Sequence, residues 1–258
     1  MPRFAANLSL LFTELPFLDR FAAARDAGFQ GVEFLFPYQW PVEQLRRALD
    51  AAGLPLVLFN LPPGDWTAGE RGIAAVPGRE AEFREGLALA LEYAEALDCP
   101  RLHCMAGVAD DCTGRDAALD VFADNLRFAA DLAAEHGKIL TLEPINSQVD
   151  IPGYLLDSLD GALQLIGRVG RGNLRLQYDA YHLWVMGEDP LSSLSRCWPH
   201  IEHVQFSDAP GRHEPGSGVI PLAAFFAELD RRGYQGWVSA EYRPAGETTA
   251  GLGWLTDR

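Results

Sequence analysis

The sequence predicts an α/β fold, a single (β/α)8 TIM barrel, and three observations carry that expectation. Short apolar runs alternate with longer amphipathic ones, and the pairs number eight within 258 residues, which matches the barrel better than an open doubly wound sheet. Amphipathic runs repeatedly close on glycine, at Ala27-Gly28, Ala52-Gly53, His136-Gly137 and Arg232-Gly233, as the left-handed end of a helix before a short turn requires. No GxGxxG follows the first apolar run, which argues against a dinucleotide-binding sheet.

In chain order, Phe4–Leu8 reads as a strand before a helix over Pro16–Ala27, and Val32–Phe36 as a strand before Val42–Ala52. Leu56–Asn60 leads through a long loop to Glu80–Leu97, and Leu102–Met105 precedes Asp116–His136. In that last helix Leu119, Phe122, Leu126, Ala129 and Ala133 recur at helical spacing, giving one stripe to pack on a sheet. Ile139–Glu143 precedes Leu159–Val169, Leu174–Asp179 precedes Pro190–Cys197, and Val204–Ser207 precedes Leu222–Arg232. Trp237–Glu241 is the eighth strand, with a short, poorly defined tail at Thr248–Arg258. No internal repeat or linker divides the chain, so residues 1–258 are expected to form one domain. The long loop, Pro62–Arg79, carries four Gly, three Pro and Trp66; it is expected to act as a lid or rim over the barrel mouth.

A net charge of −15 makes a phosphate backbone a poor partner, because nucleic-acid affinity is built largely on Lys and Arg. No run approaches the ~18 apolar residues needed to span a membrane. The start, MPRFAANLSLLF, lacks a secretory cleavage signature. A soluble cytoplasmic protein acting on a small molecule is expected, with no nucleic acid and no membrane partner; self-association into a homo-oligomer is left open. Cys99, Cys104, Cys112 and Cys197 show no CxxC spacing and are expected to be free thiols. The one lysine, Lys138, precedes a strand at the end remote from a barrel active site, which disfavours Schiff-base chemistry.

Alternation of side chains along the last four strands points to the chemistry. With Leu140 and Leu142 towards the helices, Thr141 and Glu143 face inwards; by the same parity so do Gln177 and Asp179, His203, Gln205 and Ser207, and Ser239 and Glu241. Glu143, Asp179, Gln205 and Glu241 therefore stand at or near the carboxyl ends of consecutive strands, where barrels bind ligands. Three carboxylates this close repel one another unless a cation lies between them. Four oxygen donors suit a hard divalent metal, Mg²⁺ or Mn²⁺, better than Zn²⁺. The alternative is a polar core in which these groups pair with arginines. Glu33, on the second strand, is expected to be a buried, paired carboxylate.

The segments LEPIN at Leu142–Asn146, DAYH at Asp179–His182, HVQFSDAPGRHEPGSG at His203–Gly218 and AEY at Ala240–Tyr242 together resemble the hydroxypyruvate isomerase family, within the xylose-isomerase-like barrels. FNLPPGDWTAGERG at Phe59–Gly72 and HCMAG at His103–Gly107 match it too, so the resemblance spans nearly the whole chain. It implies a metal-dependent isomerase interconverting hydroxypyruvate and tartronate semialdehyde, with Glu143 and Glu241 as the acid/base pair. A sister group isomerises 2-oxo-tetronates, and the motifs do not separate the two. Sugar epimerases and dehydratases of the superfamily are the wider alternative, but the epimerases generally carry His where Gln205 stands and Glu where Val149 stands. An endonuclease of the same superfold would need zinc and affinity for DNA, which the charge disfavours.

For such a substrate, His182 is a candidate hydrogen-bond partner of an oxygen, and Arg212 the favoured clamp for the carboxylate. Arg71 in the loop is a second clamp candidate. His103 is expected to line the pocket or fill it, and His213 and Glu214 to order their loop.

Overall fold

The computed structural model describes residues 2–108 and 114–256. Its strands are β1 (Arg3–Asn7), β2 (Gly31–Glu33), β3 (Leu56–Asn60), β4 (Arg101–His103), β5 (Ile139–Leu142), β6 (Leu174–Asp179), β7 (Ile201–Phe206) and β8 (Trp237–Ala240). Each pairs in parallel with the next, and β1 pairs with β8, so the sheet closes into an eight-stranded barrel with no free edge. The expected fold class is the observed one.

Between the strands run α1 (Arg20–Asp26), α2 (Val42–Ala52), α3 (Glu80–Ala96), α4 (Arg115–Glu135), α5 (Leu159–Val169), α6 (Ala180–Val185), α7 (Pro190–Cys197) and α8 (Leu222–Arg231). The tail holds a 3-10 turn, Thr248–Gly251, and α9 (Gly253–Thr256). Three elements depart from the sequence expectation, the first being β2, which ends at Glu33 where the strand is expected to run to Phe36. The first helix begins as a 3-10 turn at Phe17–Asp19, and α6 fills a stretch in which no helix is expected. Gly53 and Gly233 take left-handed φ values of 66° and 71° at helix ends, as the helix-closing glycines require.

Helix packing follows the apolar stripes. In α4, Phe122, Leu126, Ala129 and Ala133 are buried while Leu119 is partly so, and Asn125 sits among them. Asn125 is tolerated there because its Nδ2 donates to the Ala74 carbonyl at 2.8 Å, tying α4 to the 62–79 loop and answering a buried polar group. Each fully buried Phe or Leu of this kind contributes roughly 1.5–3 kcal/mol. The carboxyl ends of the strands are left open.

The 62–79 loop is anchored at its base. Ala75 N donates to Ala106 O at 2.9 Å, and Gly72 and Gly107 pack back to back. A Cβ on Gly72 would lie 2.4 Å from the Met105 carbonyl oxygen, and one on Gly107 2.6 Å from that of Gly72. Their φ values of 108° and 111° also favour glycine.

Cys99, Cys104 and Cys197 are free and buried; Cys112 lies outside the described residues. Lys138 precedes β5 and donates to Ala94 O at 3.1 Å, away from the barrel mouth. Among the described residues no helix is long and apolar enough to cross a membrane.

Candidate active site

Inside the barrel, alternation delivers a continuous polar chain. Thr141 Oγ1 donates to Gln177 Oε1 at 2.8 Å, Gln177 Nε2 donates to Gln205 Oε1 at 2.6 Å, and Gln205 Nε2 donates to Glu33 Oε1 at 2.8 Å. Asn7 Nδ2 also bonds Glu33 Oε1, at 3.0 Å, and His203 Nε2 meets Glu33 Oε2 at 2.6 Å. Burial would raise the Glu33 carboxyl, but the His203 charge and the bonds from His203 and Gln205 outweigh it and hold the group below its ordinary value. Glu33 is thus the buried, paired carboxylate expected, with His203 beside it.

Above that chain the strand ends converge. Glu143 follows β5, Asp179 ends β6, and Glu241 follows β8. One ligand atom from each of these carboxylates and one from His182 all lie within 4.8 Å of one another, fully buried, an arrangement that could hold a metal ion. Asp179 caps α6: its Oδ1 accepts from Tyr181 N at 2.7 Å and His182 N at 3.2 Å, which satisfies two of the helix's free N–H groups. Among the described residues its Oδ2 has no hydrogen-bond partner, and neither has Glu143 Oε1. Two unanswered, buried carboxylate oxygens in one cluster are what a bound cation would satisfy.

The electrostatics agree. Burial pushes the Glu143 carboxyl well above its ordinary value, and the charges of Glu241 and Asp179 push it further. Burial does the same to Glu241, against the pull of Arg212. Glu143 Oε2 accepts from Gln177 Nε2 at 3.0 Å, and Glu241 accepts from Asn7 Nδ2 at 3.0 Å and Arg212 Nη2 at 3.1 Å. Gln205 is already bonded on both sides of its amide. Glu33, an acceptor only, fixes which side of that amide is nitrogen.

A cavity of about 260 Å³ opens over this cluster, and Glu143, Glu241, His182, Arg212, Arg71 and His103 all line it. Burial pulls His182 down to about 4 and His103 to about 3, so both imidazoles are neutral at pH 7. Arg212, with φ at 53°, donates to Asp150 Oδ1 at 2.7 Å as well as to Glu241, and stands 5.2 Å over the Tyr181 ring. Burial would raise the Asp150 carboxyl, yet the Arg212 charge and a bond from Asn146 outweigh it and hold the group below its ordinary value. Both guanidinium ends of Arg212 therefore already meet carboxylates. Arg71 differs: among the described residues it bonds only the carbonyls of Trp66 and Glu70, and it lies 3.9 Å from the Trp66 ring centroid.

Several groups of the site are absent from the sequence expectation. Asp150, which lines the cavity, and Asn146, bonded beside it, come from the loop after β5, which has no periodicity to betray them. Arg243 lines the cavity from the loop after β8, where its place two residues beyond Glu241 was the available signal. Its backbone is pinned: Arg243 N donates to Arg212 O at 2.8 Å and its carbonyl meets His213 Nδ1 at 2.7 Å. Asp208 orders the loop beneath, accepting from the backbone N–H groups of Ala209, Gly216, Gly218 and Ile220. Glu214 joins it by accepting from Ala245 N at 3.0 Å.

A parallel barrel with buried carboxylates gathered at the carboxyl ends of its strands has the form of an enzyme site. Residues 21–258 match the family model described as xylose isomerase-like TIM barrel. The chain is 48% identical over 255 residues to the 2-oxo-tetronate isomerase of Cupriavidus necator, covering 99% of this chain and 98% of that one. It is 44% identical over 255 residues to the hydroxypyruvate isomerase of Escherichia coli, with the same coverage. A crystal structure titled AP endonuclease, family 2, from Brucella melitensis superimposes with a TM-score of 0.97 at 46% identity, covering 100% of this chain and 99% of that one. The chain belongs to the xylose isomerase-like TIM barrel family and, within it, to the hydroxypyruvate isomerase family, whose relatives are named as hydroxypyruvate or 2-oxo-tetronate isomerases; it is an isomerase.

Proposed function

We propose that this isomerase interconverts hydroxypyruvate and tartronate semialdehyde, or their four-carbon 2-oxo-tetronate counterparts, by proton transfer through an enediolate. The observation that carries the reading is the pair of unanswered buried oxygens, Glu143 Oε1 and Asp179 Oδ2, clustered with Glu241. Glu143, Asp179 and Glu241 would hold a divalent cation, Mg²⁺ or Mn²⁺, with the second lone pair of Gln205 Oε1 as a fourth oxygen donor. When bound, such an ion polarises a carbonyl and stabilises developing negative charge on oxygen. One of Glu143 and Glu241 removes a proton from the hydroxyl-bearing carbon, and the other delivers a proton to the former carbonyl carbon. The hydroxyl proton passes to the neighbouring oxygen, so the product is an isomer with no atom gained or lost.

Charge supports an anionic substrate. With Asp150, Asp179 and one of Glu143 and Glu241 ionised, and the other holding the proton it delivers, these carboxylates balance Arg71, Arg212 and Arg243. A divalent ion leaves the site positive, which favours an anionic substrate. Arg212 is engaged by Asp150 and Glu241, so Arg71 and Arg243 are the better carboxylate clamp. Arg212 remains the charge that keeps Glu241 oriented. The volume, near the lower end of the ~300–1,000 Å³ usual for ligand pockets, suits a short acid over a sugar. The chain's net charge of −15 speaks against a nucleic-acid substrate, and its buried free thiols fit work in the cytoplasm.

Incubating the Mg²⁺- or Mn²⁺-loaded protein with hydroxypyruvate and with a 2-oxo-tetronate, side by side in D₂O, tests the reading. The expected result is aldehyde–ketone interconversion of one or both. Turnover of neither, with an epimer or dehydrated product from a panel of ketoses, would transfer the site to sugar chemistry.

A further inference from the structure

His182 contributes one of the four clustered ligand atoms, yet the hydrogen bonds around it assign it a different part. Asn146 is fully buried, and its Oδ1 accepts from Val149 N at 3.0 Å and Asp150 N at 2.9 Å. Turning the amide over would set its NH₂ against two backbone N–H groups, so the orientation is fixed by the chain itself. Its Nδ2 then faces Asp150 Oδ2 at 2.6 Å and His182 Nδ1 at 2.7 Å. A nitrogen that receives an N–H must present a lone pair. A neutral imidazole accepting at Nδ1 carries its proton on Nε2. That Nε2 stands 3.6 Å from Glu143 Oε1, across the gap over the clustered carboxylates.

We infer that Asn146 is a positioning residue that fixes the His182 tautomer, making His182 a neutral Nε2–H donor to a substrate oxygen and withholding it from metal coordination. Coordination would need the lone pair that the Nε2 proton occupies. The ligand set is thereby kept all-oxygen, which favours hard cations over zinc. The destination of the Nε2–H rests on the isomerase reading; the tautomer does not.

The test is side-chain ¹⁵N NMR of protein labelled at its six histidines, with the His182 signals identified by their loss in His182→Gln. The metal-free and the Mg²⁺-loaded protein should both show a pyridine-like Nδ1 and a protonated, pyrrole-like Nε2. A protonated Nδ1, or loss of the Nε2 proton when Mg²⁺ is added, overturns the inference. In Asn146→Ser the tautomer preference should weaken, and kcat should fall about tenfold, the order of one lost general hydrogen bond. The Asn146→Ser, His182→Gln double variant should turn over no more slowly than His182→Gln alone; additive losses would contradict a role through His182. If Asn146→Ser fails to fold, the wild-type spectra decide. A correct tautomer in a protein that turns over neither acid would sink the functional reading and leave this one standing; turnover with a protonated Nδ1 would do the reverse.

Discussion

Glu33 and Glu143 are both buried carboxylates on inward-facing positions of the barrel, and they differ in how many of their oxygens are answered. Glu33 accepts from Asn7, Gln205 and His203, and its carboxyl is held below the ordinary value. Among the described residues Glu143 accepts a single bond, from Gln177, and leaves Oε1 unanswered, and its carboxyl is pushed well above that value. The same residue type at equivalent burial thus has its desolvation compensated by the protein at one position and left uncompensated at the other.

The largest effect expected from breaking this contrast is on stability. Glu33→Ala removes the partner of His203 and an acceptor of Gln205 and Asn7, and should cost about 3–5 kcal/mol, as breaking a buried pair does. Glu143→Gln should leave the metal-free protein as stable as wild type, or more so, because it removes a carboxylate that burial and its neighbours oppose. Chemical denaturation of the metal-free proteins reads both. Equal losses at the two positions would mean that the two carboxylates do the same work.

Activity should show the opposite order. Glu143→Gln and Glu241→Gln are expected to lose about 10²-fold or more in kcat, the usual worth of a positioned acid or base, while remaining folded by circular dichroism. Chelator should abolish turnover of wild type. Mg²⁺ or Mn²⁺ should raise its Tm, and that rise should be lost in Glu143→Gln, since an ion stabilises only the state that binds it.

The arginines sharpen the comparison one step further. Arg71 and Arg243 line the cavity without a carboxylate partner among the described residues, whereas Arg212 has two. Arg71→Ala and Arg243→Ala should raise KM about tenfold with kcat nearly unchanged, the signature of lost uniform binding of a charged group. Arg212→Ala should instead lower kcat, through Glu241. Steady-state kinetics distinguishes these patterns, and a KM effect confined to Arg212 would restore it as the carboxylate clamp.

The sequence disclosed those parts of the site that obey a period. Alternation along four strands was enough to bring Glu143, Asp179, Gln205 and Glu241 to one end of the barrel, because a strand's side-chain direction follows from its parity. It does not report what a side chain meets. Arg212 bonds an aspartate 62 residues away in sequence, and Asn146, Asp150 and Arg243 sit on loops whose course is set by backbone hydrogen bonds. The helix α6 escaped for a related reason. Six residues are too few to establish a 3.6-residue repeat, and its start depends on the Asp179 cap, a signal indistinguishable in sequence from the carboxylate's role at the site.

The smallest expected effect is a slope, and it returns to Glu33. Its carboxyl is held below the ordinary value, burial pushing up and the His203 charge and hydrogen bonds pulling down more strongly. Its contribution to stability is therefore complete above the unfolded carboxylate value of about 4.3 and is lost as pH falls through the lower, folded value. The stability gap between wild type and Glu33→Gln should accordingly be flat at neutral pH and shrink on acidification, each pH unit within that window being worth at most about 1.4 kcal/mol. Urea midpoints of the two metal-free proteins across the acid range measure it. A gap that widened towards acid would mean that Glu33 binds a proton more readily folded than unfolded, and would place it beside Glu143 as a second uncompensated carboxylate.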